Sequence, residues 1–318
     1  MADVVAFGEL LIDFVPTATG LGLADAETFA KAAGGAPANV AAGLARLGLT
    51  SAFMGMVGED GFGDFLGQSL RKVGVDVSPL RFTSRANTGL AFVSLHPDGE
   101  REFLFYRSPG ADMLMGPEDV DEAAIRDARA FHFGSISLIG EPARSGTLQA
   151  VNLARRHGKL VTYDPNLRLA LWPDANAARE GIRVGLAEAD ILKIGDEELA
   201  FLTGNNDPIA AARSIWTSRL KLMAITSGSA GCTWVTPHAH GRVPGFTVTA
   251  VDATGAGDAF MAGLIAKLLA ERVVPTEPAL IEGICRFANA AGALTATGRG
   301  AIPSLPTRDA VEALVRGG

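Results

Sequence analysis

Short, continuous apolar runs alternate with segments whose apolar residues recur every three to four positions, and the rhythm holds from about residue 120 to near residue 226. AFHFGSISL, KLVTYDPN, DILKIG and LKLMAITSG are runs of the first kind; EPARSGTLQAVNLARRHG, NAAREGIRVGLAEA and the shorter DEELAFLTG are of the second. A strand that is apolar on both sides must be covered on both faces, and helical crossovers supply that cover. The pattern therefore predicts an α/β chain with a central, mostly parallel sheet between two helical layers. Earlier in the chain, VVAFGELLIDFV is expected to form one buried strand. GGAPANVAAGLARLGL is expected to form a helix on Val40, Leu44 and Leu47, 51–57 a strand, and 60–73 a helix on Phe62, Phe65, Leu66 and Leu70. Two further short strands are expected in CTWVT and VPGFTVTAVD, and long helices at about 258–272 and 279–297.

Residues 87–107 break this rhythm. NTGLAFVSL and REFLFYR alternate around HPDGE, which signals an antiparallel hairpin. A hairpin interrupting an α/β chain suggests a small added β subdomain, with residues 15–33 as a source of its other strands.

Charge and motif content exclude several classes. The formal net charge is -7, and there is no basic run or Lys/Arg stripe, so nucleic acid is not an expected partner. The apolar stretch AFMAGLIAKLLA is about 12 residues and contains Lys267, against the roughly 20 needed to cross a bilayer. The first residues have no basic segment and carry Glu9 and Asp13 within their apolar run, unlike a secretory signal. Cys232 and Cys285 are far apart in sequence and neither has a ligand-spaced partner, so a reduced, cytoplasmic protein is expected. His238 and His240 sit in a Pro/Gly-containing segment better suited to a solvated loop than to a metal. GxxxxGK[ST], strand-following GxGxxG and GxSxG are all absent, which argues against a P-loop protein, a nicotinamide dehydrogenase and an α/β-hydrolase.

The most chemically suggestive segment is VDATGAGDAFMAGLIAKLL. A strand end runs through a Gly255–Gly257 loop into an apolar helix opened by Asp258. Amides at a helix start lack intrahelical acceptors and carry the positive end of the helix dipole, so they can cradle an anion. A carboxylate beside them could take the proton of an attacking hydroxyl while the amides stabilise a phosphoryl group. On this local pattern alone, Asp258 could equally be an ordinary acidic residue in a first helical turn.

AGGAPANVAAGLARLG, GEDGFG and DATGAGDAF, in this order, resemble the signature regions of the ribokinase-like sugar kinases, the phosphofructokinase B family. TYDPNLRLALW, REFLFYRSPGADML, FHFGSISLIGEPARS, GDEELAFLTG and NAAGALTATGRGAIPSLPT resemble its fructokinase branch, and the likeness runs essentially the whole chain. The resemblance implies one ribokinase-like domain over 1–318, a three-layer α/β/α sandwich with a small β-sheet lid from roughly 15–33 and 87–108. It implies transfer of the γ-phosphoryl of Mg2+-ATP to the 6-hydroxyl of fructose. Kinases of ribose, nucleosides or 2-keto-3-deoxygluconate are the alternatives within the family, and a non-catalytic sugar sensor is the alternative outside its chemistry.

By the same resemblance, Asp258 is the catalytic base, Gly255, Ala256 and Gly257 form the anion hole, and Arg168 contacts the sugar or the phosphoryl group. Asp13, Gly34, Gly35, Asn39, Arg107 and Asn166 fall on the sugar side; Glu198, Thr226, Gly228, Gly231 and Asn289 fall on the nucleotide side. A potassium ion near Asp252 and Thr254, and a homodimer formed through the lid, also follow from family membership. The sequence departs from the family where an Asn-x-x-Glu often stands: it keeps Glu198 but has Gly195 at the asparagine position.

Overall fold

The computed structural model describes residues 1–18, 20–95, 101–271 and 274–317, with the side chains of 94, 95 and 101–103 left aside. In chain order the elements are β1 (Val4–Phe7), β2 (Leu11–Pro16), β3 (Phe29–Gly34), α1 (Ala36–Arg46), β4 (Ser51–Gly58), α2 (Gly61–Lys72), β5 (Leu80–Thr83), β6 (Leu90–Leu95) and β7 (Arg101–Tyr106). Then come α3 (Glu122–Asp127), β8 (Ala130–Gly134), α4 (Ala143–Arg156), β9 (Leu160–Asp164), α5 (Ala175–Glu188), β10 (Ile191–Gly195), α6 (Asp196–Thr203), α7 (Pro208–Ser214), β11 (Leu222–Thr226), β12 (Cys232–Val235) and β13 (His240–Val243). The chain closes with α8 (Ala256–Ala270), α9 (Pro278–Thr295), α10 (Ala301–Ser304) and α11 (Arg308–Gly317).

Nine strands form one sheet in the order β13-β12-β11-β10-β9-β8-β1-β4-β5. Seven are parallel, and β12 and β13 add an antiparallel edge. Successive residues of β1 enter different cores. Val4 and Ala6 pack with α1, α8 and α9, whereas Val5 and Phe7 pack with α4, α5 and α6. This is the predicted sandwich, with apolar strands buried on both sides. Chain order reverses direction across the sheet at β1, which lies between β4 and β8. Crevices at the carboxyl ends of strands beside such a switch point are where α/β sheets bind ligands.

The second sheet has the order β3-β2-β6-β7. Its β6–β7 pairing is the expected hairpin, with Leu95 opposite Arg101; the PDG turn itself lies outside the described residues. The expected single strand over VVAFGELLIDFV is in fact two strands in two sheets. Gly8 divides them at φ 152, and a Cβ there would lie 2.6 Å from Pro37 Cγ, so only glycine allows this turn against α1. Two other expectations also need correction. VPGFTVTAVD contributes only its first residue to a strand, because Pro244 ends β13 and the strand instead runs back through His240. β5, an edge strand, was not anticipated.

Candidate active site

A cavity of about 580 Å³ opens between the carboxyl ends of the main strands and the smaller sheet. Asp13 of β2, Asn39 of α1, Asn166 and Arg168 after β9, Lys193 of β10 and the 251–258 segment all line it. The 299–303 segment forms a further wall. Strand parity explains the lid's contribution. Leu11, Asp13 and Val15 alternate toward the cavity, while Phe14 and Phe92 stack at 5.0 Å on the opposite face, with Phe62 of α2 against Phe14.

Glycine geometry fixes the wall that carries Asp13. A Cβ at Gly34 would lie 2.1 Å from Asp13 Oδ2, so the carboxylate occupies the space that a side chain would take. Gly35 precedes α1 at φ 114, with its absent Cβ 2.3 Å from the Glu9 carbonyl oxygen. The Ala36 amide at that helix start donates to Glu9 Oε1 at 2.9 Å. Asn39, one turn into α1, donates from Nδ2 to Asp258 Oδ2 at 2.8 Å. This bond ties the first helix to the eighth and aims the Asp258 carboxylate across the cavity mouth.

A second wall is the start of α8. Gly255 caps the helix at φ 80 and no side chain caps it. The Ala256 amide donates to the Ala253 carbonyl at 3.2 Å. The expected three-amide cradle is therefore reduced: Ala256 is engaged within its own turn, and Gly255 and Gly257 are the members that line the cavity. A Cβ at Gly255 would lie 2.6 Å from Ala301 Cβ, so the 299–303 wall is packed directly on the cradle.

Electrostatics mark the same centre. Burial raises the Asp258 carboxyl above its usual range, with the Asn39 hydrogen bond, Lys193 and Arg168 pulling the other way. Burial pushes Asp13 up to about 7, against the attraction of Arg168 and with the Asp258 charge adding to the rise. Asp164 and Lys193 form a buried ion pair at 2.9 Å. Burial works against the Lys193 charge, but Asp164, Glu198 and Asp258 together outweigh it and hold the ammonium protonated. Two carboxyls of raised basicity, two cations and bare helix-start amides around one crevice are suited to moving a proton from a hydroxyl and holding an anion.

The sequence profile of the pfkB family carbohydrate kinases matches residues 1–308. The chain belongs to that family. It is 49% identical to probable fructokinase-4 of Arabidopsis thaliana over 99% of this chain and 97% of that one. Among solved structures, fructokinase with bound ATP from Xylella fastidiosa superposes with a TM-score of 0.91 at 36% identity, covering 100% of this chain and 99% of that one. A fructokinase double mutant from Vibrio cholerae O395, in fructose-, ADP- and potassium-bound form, gives a TM-score of 0.87 at 34% identity, with 99% and 98% covered. The three-layer fold with its smaller sheet is the ribokinase-like architecture.

Within this carbohydrate kinase, the structure brings Asp13, Gly35, Asn39, Asn166, Arg168, Gly255, Gly257 and Asp258 onto one cavity, with Gly34 directly behind Asp13. Asn166 holds φ 44, and its amide bonds Asp164 Oδ1 at 3.2 Å, which turns the chain sharply after β9. Arg107, expected on the sugar side, is not on the cavity. Two of its guanidinium nitrogens bond Asp112 Oδ2, and the pair is buried where β7 rejoins the main body. Flanking glycines Gly89 and Gly110 make room for it.

Of the residues expected on the nucleotide side, Glu198 receives the Leu167 and Gly195 amides, the latter at 2.7 Å, so both of its oxygens clamp backbone. Thr226 ends β11 opposite Gly195, and Gly228 begins the turn that follows. Gly231 and Asn289 converge on 243–245. A Gly231 Cβ would lie 2.2 Å from the Val243 oxygen, and Asn289 Nδ2 donates to the Val243 and Pro244 carbonyls at 3.2 and 3.1 Å. Asn289 thus braces a loop; its amide donors do not reach into the open. Asp252 accepts from Thr254 N and Oγ1 and from Gly300 N, joining the two loops that flank the cradle.

Lys193, Asp164 and Glu9 escaped the sequence analysis. Their signal was a charged residue inside an otherwise apolar strand or strand end. Among the described residues there is no cluster of three or more His, Cys, Asp or Glu able to hold a metal, and no helix is long and apolar enough to cross a membrane.

Proposed function

We propose that this chain is an ATP-dependent fructokinase, converting D-fructose and ATP into fructose 6-phosphate and ADP. The observation that carries the reading is the placement of the Asp258 carboxylate in one cavity with a second carboxylate, Asp13, on one side and the Gly255 and Gly257 amides on the other. Fructose would lie against Asp13, Gly35 and Asn39, where a carboxylate accepts from two hydroxyls and an amide both donates and accepts. The 6-hydroxyl gives its proton to Asp258 as its oxygen bonds the γ-phosphorus. The bond from that phosphorus to the β-bridging oxygen breaks, and its electron pair leaves on ADP. Arg168 and the helix-start amides balance the charge on the moving group.

Magnesium would come to this site with ATP, neutralising phosphate charge while keeping its waters. The Asp252 loop beside the cradle supports a potassium site there, though its carboxylate is engaged with backbone. Exposed Leu104 and Tyr106 on the lid support a homodimer through that sheet, and Cys232 and Cys285, buried free thiols hydrogen-bonded to each other without a disulfide, support a cytoplasmic setting.

The test is a panel of fructose, ribose, 2-keto-3-deoxygluconate and a nucleoside with Mg2+-ATP, measuring ADP release and the phosphorylated product. Fructose should give the highest kcat/KM and the product fructose 6-phosphate. A preference for another member of the panel would move the reading to that substrate. Sugar binding without ADP release would make the chain a sensor.

A further inference from the structure

We propose that Lys193 is a catalytic residue of this transfer, its ammonium contacting the phosphoryl group in flight from beneath the Gly255–Gly257 cradle. The proposal rests on the fructokinase reading and adds to it a second cation at the reacting centre.

Lys193 sits near the carboxyl end of β10 with its side chain 8% exposed, yet it lines the cavity alongside Asp258 and Gly257. The atoms that a Cβ at Gly257 would meet are its own, Nζ at 3.0 Å and Cε at 3.6 Å. The absence of a side chain at Gly257 therefore lets the start of α8 pack directly against the ammonium. An ammonium has three N–H groups. Asp164 offers it two oxygens, at 2.9 and 3.2 Å. Among the described residues, neither Glu198, whose oxygens both hold backbone amides, nor Asp258, whose Oδ2 holds Asn39, bonds the ammonium. One donor of a buried, charged lysine is thus left for what enters the cavity.

That occupant is an anion rather than a hydroxyl. The sugar-side wall is Asp13, Gly35 and Asn39, on the lid and α1, whereas Lys193 faces the start of α8. A triphosphate entering here approaches Asp258, Asp164 and Glu198, whose fields all act on Lys193. A fixed cation between these carboxylates and the phosphoryl oxygens offsets a repulsion that two amides alone would have to overcome.

The test removes the cation without stranding its partner. In Lys193→Met combined with Asp164→Asn, shape is retained and both members of the buried ion pair lose their charge together, while Asp258 keeps Arg168 and the Asn39 hydrogen bond. This double variant should lose kcat by about 10²-fold or more, while the fructose KM moves by less than about threefold, as expected for an interaction made mainly in the transition state. Affinity for ADP with aluminium fluoride and fructose should fall in parallel, while affinity for ADP alone holds. Asp164→Asn by itself keeps the ammonium and should lose no more than about tenfold. A double variant with kcat within about threefold of the parent would overturn the proposal. Equal losses in Asp164→Asn and the double variant would overturn it too, assigning the effect to the β9 turn. A parent protein inactive on every sugar would instead sink the reading beneath it.

Discussion

The Asp13 carboxylate is held by an absence. It fills the volume where a Gly34 side chain would be, and the β2–β3 register that places Leu11 opposite Gly34 leaves it no other position on that face. Gly34→Ala should therefore displace the carboxylate rather than merely crowd it. Misplacing a substrate-positioning group by about 1 Å can cost up to about 100-fold, so the fructose KM should rise by at least about tenfold while the ATP KM stays near that of the parent. Steady-state kinetics with each substrate varied would show the split; equal changes in both would mean that the cavity wall had collapsed. The motif residues Asp13, Asn39, Arg168 and Asp258 could be singled out from the sequence, and the fold brings them onto one cavity. Lys193 and Glu9 could not, since a charge within a buried strand looks like an exception to the apolar pattern until the fold shows what it faces.

At the scale of elements, the smaller sheet joins the main body at four points: Glu9 before β2, Gly35 after β3, Gly89 before β6 and Arg107 after β7. Arg107 closes this junction. Its charge is sustained against burial by Asp112, with Glu9 adding to the effect. Breaking such a pair by removing one partner typically costs about 3–5 kcal/mol, because the other charge is left buried and alone. Arg107→Met should accordingly lower denaturant stability by about 3 kcal/mol or more, and adding Asp112→Asn should restore much of the loss. If Arg107→Met left stability unchanged and raised only the fructose KM, the junction role would be wrong and the contact implied by family resemblance right. The hairpin and its βα surroundings were readable from alternation and period. The break at Gly8 was not, because a run apolar throughout carries no sign that its halves belong to different sheets.

At the scale of the whole molecule, burying carboxyls around one cavity has a cost that depends on pH. Burial pushes Glu9 up to about 7, and its backbone hydrogen bonds and Arg107 only partly resist this. Glu9 Oε2 has no hydrogen-bond partner among the described residues. A folded-state pKa above the unfolded value means that the fold prefers the protonated form. That stability is complete below the ordinary glutamate range and is lost as pH rises through about 7. A shift of this size corresponds to about 3 kcal/mol at most across the window. Glu9→Gln should therefore melt closer to the parent at pH 5 than at pH 8, where it should be the more stable protein in the absence of ligand. Thermal melts across that range check it; a constant gap would show that Glu9 does not titrate there. The three-layer architecture was visible from the alternation of strands and helices because burial on both faces leaves so plain a pattern. The cavity was legible only through family motifs, since its walls come from residues nearly 290 positions apart, Asp13 to Pro303.

The direct measurement is made on Asp258→Asn, which keeps the shape and an acceptor for the Asn39 hydrogen bond but cannot take a proton. With fructose and Mg2+-ATP, kcat should fall by about 10²- to 10⁴-fold, as for loss of a general base, while the fructose dissociation constant changes by less than about threefold. The acid limb of the parent's kcat/KM profile, to which Asp13 and Asp258 both contribute above the ordinary aspartate range, should lose its Asp258 component. A variant that turned over fructose at near the parental rate, or whose pH profile matched the parent's, would contradict the account.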